Sequence, residues 1–68
     1  MSGHFNVGQR VRLRVDVQDF RTGDTGRVLH VDRAPPAAGE APLYICEIDT
    51  PEGARLAALY PEEIESVR

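Results

Sequence analysis

The chain contains no tryptophan, no lysine, one cysteine and only four aromatic residues in 68, and each shortage closes off a class of protein. With so few large rings, Val, Leu, Ile and Ala must fill the core, which leaves no room for a deep pocket around a large cofactor. A lone cysteine, Cys46, excludes an intramolecular disulfide and any cysteine-based zinc framework, and it fits a reducing compartment better than secretion. No apolar run approaches the length of a membrane span, and the N-terminus lacks the charged-then-apolar profile of a signal peptide. These absences predict a cytoplasmic chain with no membrane contact and no cofactor.

The length predicts one domain: at this size folding removes only about 60% of the unfolded chain's surface. The net charge of −3 hides an uneven distribution. Residues 1–33 carry six Arg against four Asp, and residues 34–68 carry two Arg against seven acids, so the halves stand at +2 and −5. An acidic total argues against general nucleic-acid binding, while a local basic face remains open to the first half.

Residues 1–7 read as a flexible N-terminal tail, with Phe5 and Val7 as its ties to the body, and 8–68 as the folded domain. In "RVRLRVDV", Val11, Leu13, Val15 and Val17 alternate with Arg10, Arg12, Arg14 and Asp16. Period two over eight residues predicts a half-buried strand. "QDFRTGD" follows as a polar loop in which Gly23 takes a positive φ angle and Phe20 folds back as a lid on the core. "TGRVLHVD" resumes as a bent strand, with Gly26 marking a bulge or a close backbone approach.

"RAPPAAGEAP", rich in proline and small residues, predicts an extended, mobile loop. "LYICEID" is the next strand, with Tyr44, Cys46 and Ile48 inward. In "TPEG", Pro at the second position and Gly at the fourth predict a tight turn. The turn makes a hairpin with "ARLAALY", read as strand despite its helical propensities because it is short and stops at Pro61. "YPEEIESV" supplies one helical turn, with Pro61 at its first position and Glu62 and Glu63 near its positive end, then a last short strand.

This order resembles an SH3-like barrel: an all-β fold of five short, bent strands with one 3₁₀ turn before the last. The resemblance runs from Val7 to Val67 and rests on "VGQRVRL", "GDTGRVLHV", "LYICEI" and "LYPEEIESV". Its nearest general likeness is to small bacterial and plastid SH3-like proteins, including the SH3-like accessory proteins of photosystem I, and it implies a protein-binding accessory role without catalysis. "VGQRVRLRVDVQDFRTGDTGRVLHVD" also resembles the KOW motif, with Gly8, Gly23 and Gly26 on its pattern, which implies RNA or DNA binding as the alternative.

Two site readings follow. For an unidentified protein partner the candidates are Phe20, Arg21, Tyr60, Glu62 and Glu63, because binding concentrates on loops carried by a rigid scaffold. For nucleic acid they are Arg10, Arg12, Arg14, Arg21 and Arg27. Alternate strand residues lie about 6.5 Å apart on one face, close to twice the per-strand phosphate spacing. The same arginine row is equally a solvated face paired with carboxylates, Glu65 and Glu63 among them, if the last strand pairs with the first. Gly23 and Gly26 could form an anion nest with Arg21 and Arg27, yet the stretch lacks the lysine and helix of a phosphate loop. His30 and Cys46 fall on neighbouring strands, but two ligands make no metal site and no third group is arranged for acid–base work. The chain is therefore read as non-catalytic, and as a monomer or weak homodimer, since an exposed edge strand could pair between copies.

Overall fold

The computed structural model describes residues 5–32 and 42–67. Five antiparallel strands follow one another: β1 (Arg10–Leu13), β2 (Thr25–Asp32), β3 (Leu43–Thr50), β4 (Gly53–Leu59) and β5 (Ile64–Ser66). A single 3₁₀ turn, Pro61–Glu63, precedes β5, and no α-helix occurs among the described residues. The strands form one sheet in the order β4-β3-β2-β1-β5. This sheet is open: β4 and β5 are its two edges and share no ladder. The all-β class, the strand order along the chain and the 3₁₀ turn match the sequence reading.

The inner face is built by alternation. Val11 and Leu13 of β1, Val28 of β2, Tyr44, Cys46 and Ile48 of β3, Ala57 and Leu59 of β4 and Ile64 of β5 are all buried. Phe5 completes one end, its ring edge-on to Tyr44 at 5.3 Å between centroids, a geometry that sets the positive rim of one ring against the negative face of the other. Its backbone N–H donates to the Tyr44 hydroxyl at 3.3 Å. Phe5 thus ties the N-terminal segment to the core, whereas Val7 stands in solvent.

The first strand is shorter than its sequence pattern. Apolar alternation continues to Val17, but the ladder stops at Leu13 and Val15 is 44% exposed. Pairing, not patterning, ends the strand. β5 offers only three residues to β1, and beyond Leu13 the chain must turn to reach β2. The Leu13 N–H donates to the Asp24 carbonyl and its carbonyl accepts from Gly23, closing the loop 14–24 at its base. Gly23 sits at φ 95°, as its position in the turn requires.

Gly26 marks a close backbone approach rather than a bulge. A Cβ there would lie 2.1 Å from the Glu47 carbonyl oxygen, so only glycine lets β2 and β3 meet at this point. The bulge falls instead at Leu29, where the β2–β3 register shifts between Val28 and His30. The extra residue turns Leu29 and His30 outward together and returns Val31 to the core side. The "TPEG" hairpin forms as expected. Thr50 pairs with Gly53, its hydroxyl donating to the Gly53 carbonyl at 2.6 Å and accepting from the Glu52 N–H at 3.2 Å. The expected proline-rich loop, residues 33–41, lies outside the described residues, as do residues 1–4 and 68.

Candidate binding surfaces

The loop 14–24 owes its shape to its own polar side chains. The Asp16 carboxylate accepts from the Thr22 N–H at 2.8 Å and from the Thr22 hydroxyl at 3.0 Å. The Thr22 N–H chiefly, with its hydroxyl and nearby Arg21, holds the Asp16 carboxyl below its ordinary range. Asp24 accepts from the Arg21 N–H at 3.0 Å, so the acid that brackets Arg21 is spent on the turn. Gln18 takes a left-handed backbone at φ 55°, which lets Val17 and Phe20 exchange backbone hydrogen bonds across a two-residue reversal. The reversal drives Phe20 inward to 4% exposure.

The loop then leans on the far end of the chain at two points. The Arg14 N–H donates to the Glu63 carbonyl at 2.8 Å, and the Gln18 amide donates to the Ala58 carbonyl at 3.3 Å. Tyr60 lies between those two anchor residues in sequence and is half exposed. Its N–H donates to the Glu63 carboxylate at 2.8 Å while the Glu63 N–H returns a bond to the Tyr60 carbonyl at 2.9 Å. With Pro61 at the first position, these two bonds fix the backbone of the 3₁₀ turn at Tyr60. Loop 14–24 and the Tyr60–Glu63 turn are therefore joined into one surface by the Arg14–Glu63 and Gln18–Ala58 bonds, and they expose Val15 and Tyr60 as apolar groups and Arg14, Asp19 and Glu62 as charged ones.

Of the residues chosen from sequence for a protein partner, Tyr60, Glu62 and Glu63 share this surface. Phe20 supports it from beneath: the Arg55 guanidinium caps its ring at 5.6 Å, and Arg55 also faces Asp19 at 3.7 Å. Arg21 is exposed on the turn at the base of the loop, beside the end of β1. Val15, Gln18 and Arg55 belong to the surface without having been singled out. Only the early end of β1 exposes Val15, and no local pattern signals where a ladder runs out.

The arginine row divides. Arg10 and Arg12 are on β1, but Arg14 lies in the bend beyond it. Arg12 stands opposite Glu65, its Nη2 2.6 Å and its Nε 2.8 Å from the same carboxylate oxygen, as expected if the last strand pairs with the first. Glu63 turns its carboxylate to Tyr60 instead of the row. Arg10 faces Arg27 directly across β1 and β2, and Glu47 follows on β3. Among the described residues Arg10, Arg14, Arg21 and Arg27 carry no ion pair.

Cys46 and His30 fall on opposite faces of the sheet, the thiol buried and the imidazole exposed. Burial raises the Cys46 thiol to about 11, so it remains protonated and unreactive near neutral pH. No group of three or more His, Cys, Asp or Glu able to hold a metal occurs among the described residues. No helix there is long and apolar enough to cross a membrane.

No family model, no curated protein and no solved structure matches the chain.

Proposed function

We propose that this chain is a non-catalytic, SH3-like binding module that makes protein contacts through the surface of loop 14–24, Tyr60 and the 3₁₀ turn. One observation carries the reading: the loop is anchored to Ala58 and Glu63, on either side of the half-exposed Tyr60. The same two anchors, with Phe20 beneath them, support the finer fold reading. They lie on the side of the sheet where β4 and β5 have no ladder, which is the arrangement a small SH3-like barrel would need there. An exposed aromatic and an exposed aliphatic, Tyr60 and Val15, on two joined segments that also carry charges of both signs are the composition of a protein contact site, and such aromatics carry a large share of binding energy.

The test is capture from a lysate with the full chain as bait. Tyr60→Ala and Glu62→Lys should each weaken retention of the captured protein about tenfold or more, a typical loss at an interface anchor. Glu52→Lys, on the distant β3–β4 turn, should not. A partner retained equally by all three variants would remove this surface from the proposal.

A second reading has its own observation: the Arg10 and Arg27 pair faces solvent without a carboxylate partner among the described residues. RNA or DNA would then lie across Arg10, Arg12, Arg14, Arg21 and Arg27. Such binding must weaken steeply as salt rises, because phosphate contacts release counterions. Absence of salt-dependent association with a mixed-sequence oligonucleotide at low ionic strength would end it.

A further inference from the structure

Arg10 and Arg27 meet directly across β1 and β2. The neighbouring pair, Gln9 and Val28, carries the ladder bond, the Val28 N–H donating to the Gln9 carbonyl at 3.0 Å, while the Arg10 carbonyl turns the other way and accepts from the Val67 N–H at 3.1 Å. Arg10 and Arg27 are therefore a non-hydrogen-bonded pair, the place in an antiparallel ladder where opposed side chains stand closest. Both lie on the outer face, opposite the buried Val11 and Val28, and both are exposed. Like charges so placed repel and cost stability. The chain has 11 acids against 8 basic residues, enough to neutralise every arginine, yet none among the described residues pairs with these two. Glu65 is taken by Arg12, and Glu47, opposite Arg27 on β3, forms no ion pair with it.

We propose that Arg10 and Arg27 together hold the dianionic phosphate group of a phosphate monoester. The Cβ atoms of such a pair are about 4.5–5.5 Å apart, so both guanidinium forks reach one bound group. A single carboxylate is filled by one fork. Two forks and two positive charges call for more oxygens and more charge, and a phosphate monoester supplies three acceptor oxygens and about −1.5 to −2 charge at pH 7. A phosphodiester bears only one charge per phosphate and offers less to each fork. Bound between the two arginines, the dianion replaces one repulsive contact with two attractive ones. Glu47 works against it from the β3 side, and Arg12, its charge spent on Glu65, contributes little. The site is open to solvent, so its affinity is weak, on the order of 1 mM. It shares two arginines with the nucleic-acid reading but does not depend on that reading.

Titration of the isotope-labelled full chain with inorganic phosphate at about pH 7.5, where the dianion dominates, and at constant ionic strength in chloride should move the Arg10 and Arg27 resonances. Phenyl phosphate, a monoester, should do the same, while dimethyl phosphate, a diester, should bind at least about tenfold more weakly. Arg10→Gln and Arg27→Gln remove a repulsion at exposed positions, so both variants should keep the fold and each should weaken phosphate binding at least about tenfold. Arg12→Gln should change it by less than about threefold, and Glu47→Gln should tighten it. Phosphate should also raise the melting temperature of the parent above its value in matched chloride, and should not raise that of Arg27→Gln. Phosphate that moves neither arginine, a diester bound as well as a monoester, or an Arg12→Gln loss equal to that of Arg27→Gln would each overturn the proposal. Phosphate binding with the stated variant pattern supports it even where an oligonucleotide lacking terminal phosphates fails to bind, a result that ends the nucleic-acid reading alone.

Discussion

The meander β2–β3–β4 and the segment running from β1 through loop 14–24 are held together by different physics. The meander has strands of eight, eight and seven residues, paired almost continuously, with Tyr44, Cys46 and Ile48 buried along its middle strand. Its stability rests on backbone ladders and apolar burial, neither of which depends on charge. The other half has strands of four and three residues. It buries Val11, Leu13, Ile64 and Phe20, but its ladders are short and its loop depends on individual polar contacts: Asp16 to Thr22, Asp24 to Arg21, Gln18 to Ala58, with Arg12 to Glu65 between the strands. Long ladders resist local opening, whereas a loop held by exposed side-chain bonds is drawn from the low-stability end of the structure. The surface proposed for binding thus lies on the adaptable half and is backed by the rigid one.

The largest test of this contrast is Gly26→Ala. The added methyl group meets a backbone carbonyl that cannot move without parting β2 from β3. The expected loss exceeds about 4 kcal/mol, a large part of the roughly 3–10 kcal/mol available to a domain of this size. A circular-dichroism melt should show little folded protein, and a cooperative transition near that of the parent would refute the account of the meander. Phe20→Ala comes next, at about 3 kcal/mol for a buried ring. Chemical denaturation reads the loss, and hydrogen exchange should show it as faster exchange in loop 14–24 before the meander is affected.

Asp16 gives a smaller effect with a defined pH dependence. Its folded carboxyl lies below the ordinary 3.8. Its contribution is therefore fully present above that value and is lost as pH falls through the folded one. Asp16→Asn should lower the urea midpoint at pH 7, and the difference from the parent should shrink as the pH is taken down through the acid range. A difference that stays constant across the acid range would mean that the contact acts through shape and not through charge. The smallest effect belongs to Glu65→Gln. The Arg12 pair is about half exposed on both sides, so its loss should cost no more than about 0.5 kcal/mol and should fade in high salt. A change above about 1 kcal/mol at moderate salt would show that the short-strand half depends on that ion pair.

Legibility in the sequence follows the same division. The inward trio of β3, the "TPEG" hairpin, the strand character of "ARLAAL" and the turn at Pro61 each depend on neighbours in the chain, and each was readable there. The candidate site was readable to a lesser degree. Tyr60, Glu62 and Glu63 were marked by a local signal, the Tyr-Pro-Glu-Glu run, but Val15 and Gln18 were not. Val15 occupies an inward position of a flawless alternation, and only the three-residue length of β5 and the turn at Gly23 leave it in solvent.

The sequence by itself determined an all-β chain, the order of its elements, and most of the inward residues, because period two, turn residues and proline act over a few positions. Tertiary structure alone decided where β1 stops, that the register slips at Leu29, that Phe5 joins the core while Val7 does not, and which arginines meet a carboxylate. Those outcomes depend on which strand lies alongside and for how many residues. They are set by contacts between positions far apart in the chain, which a local pattern does not encode.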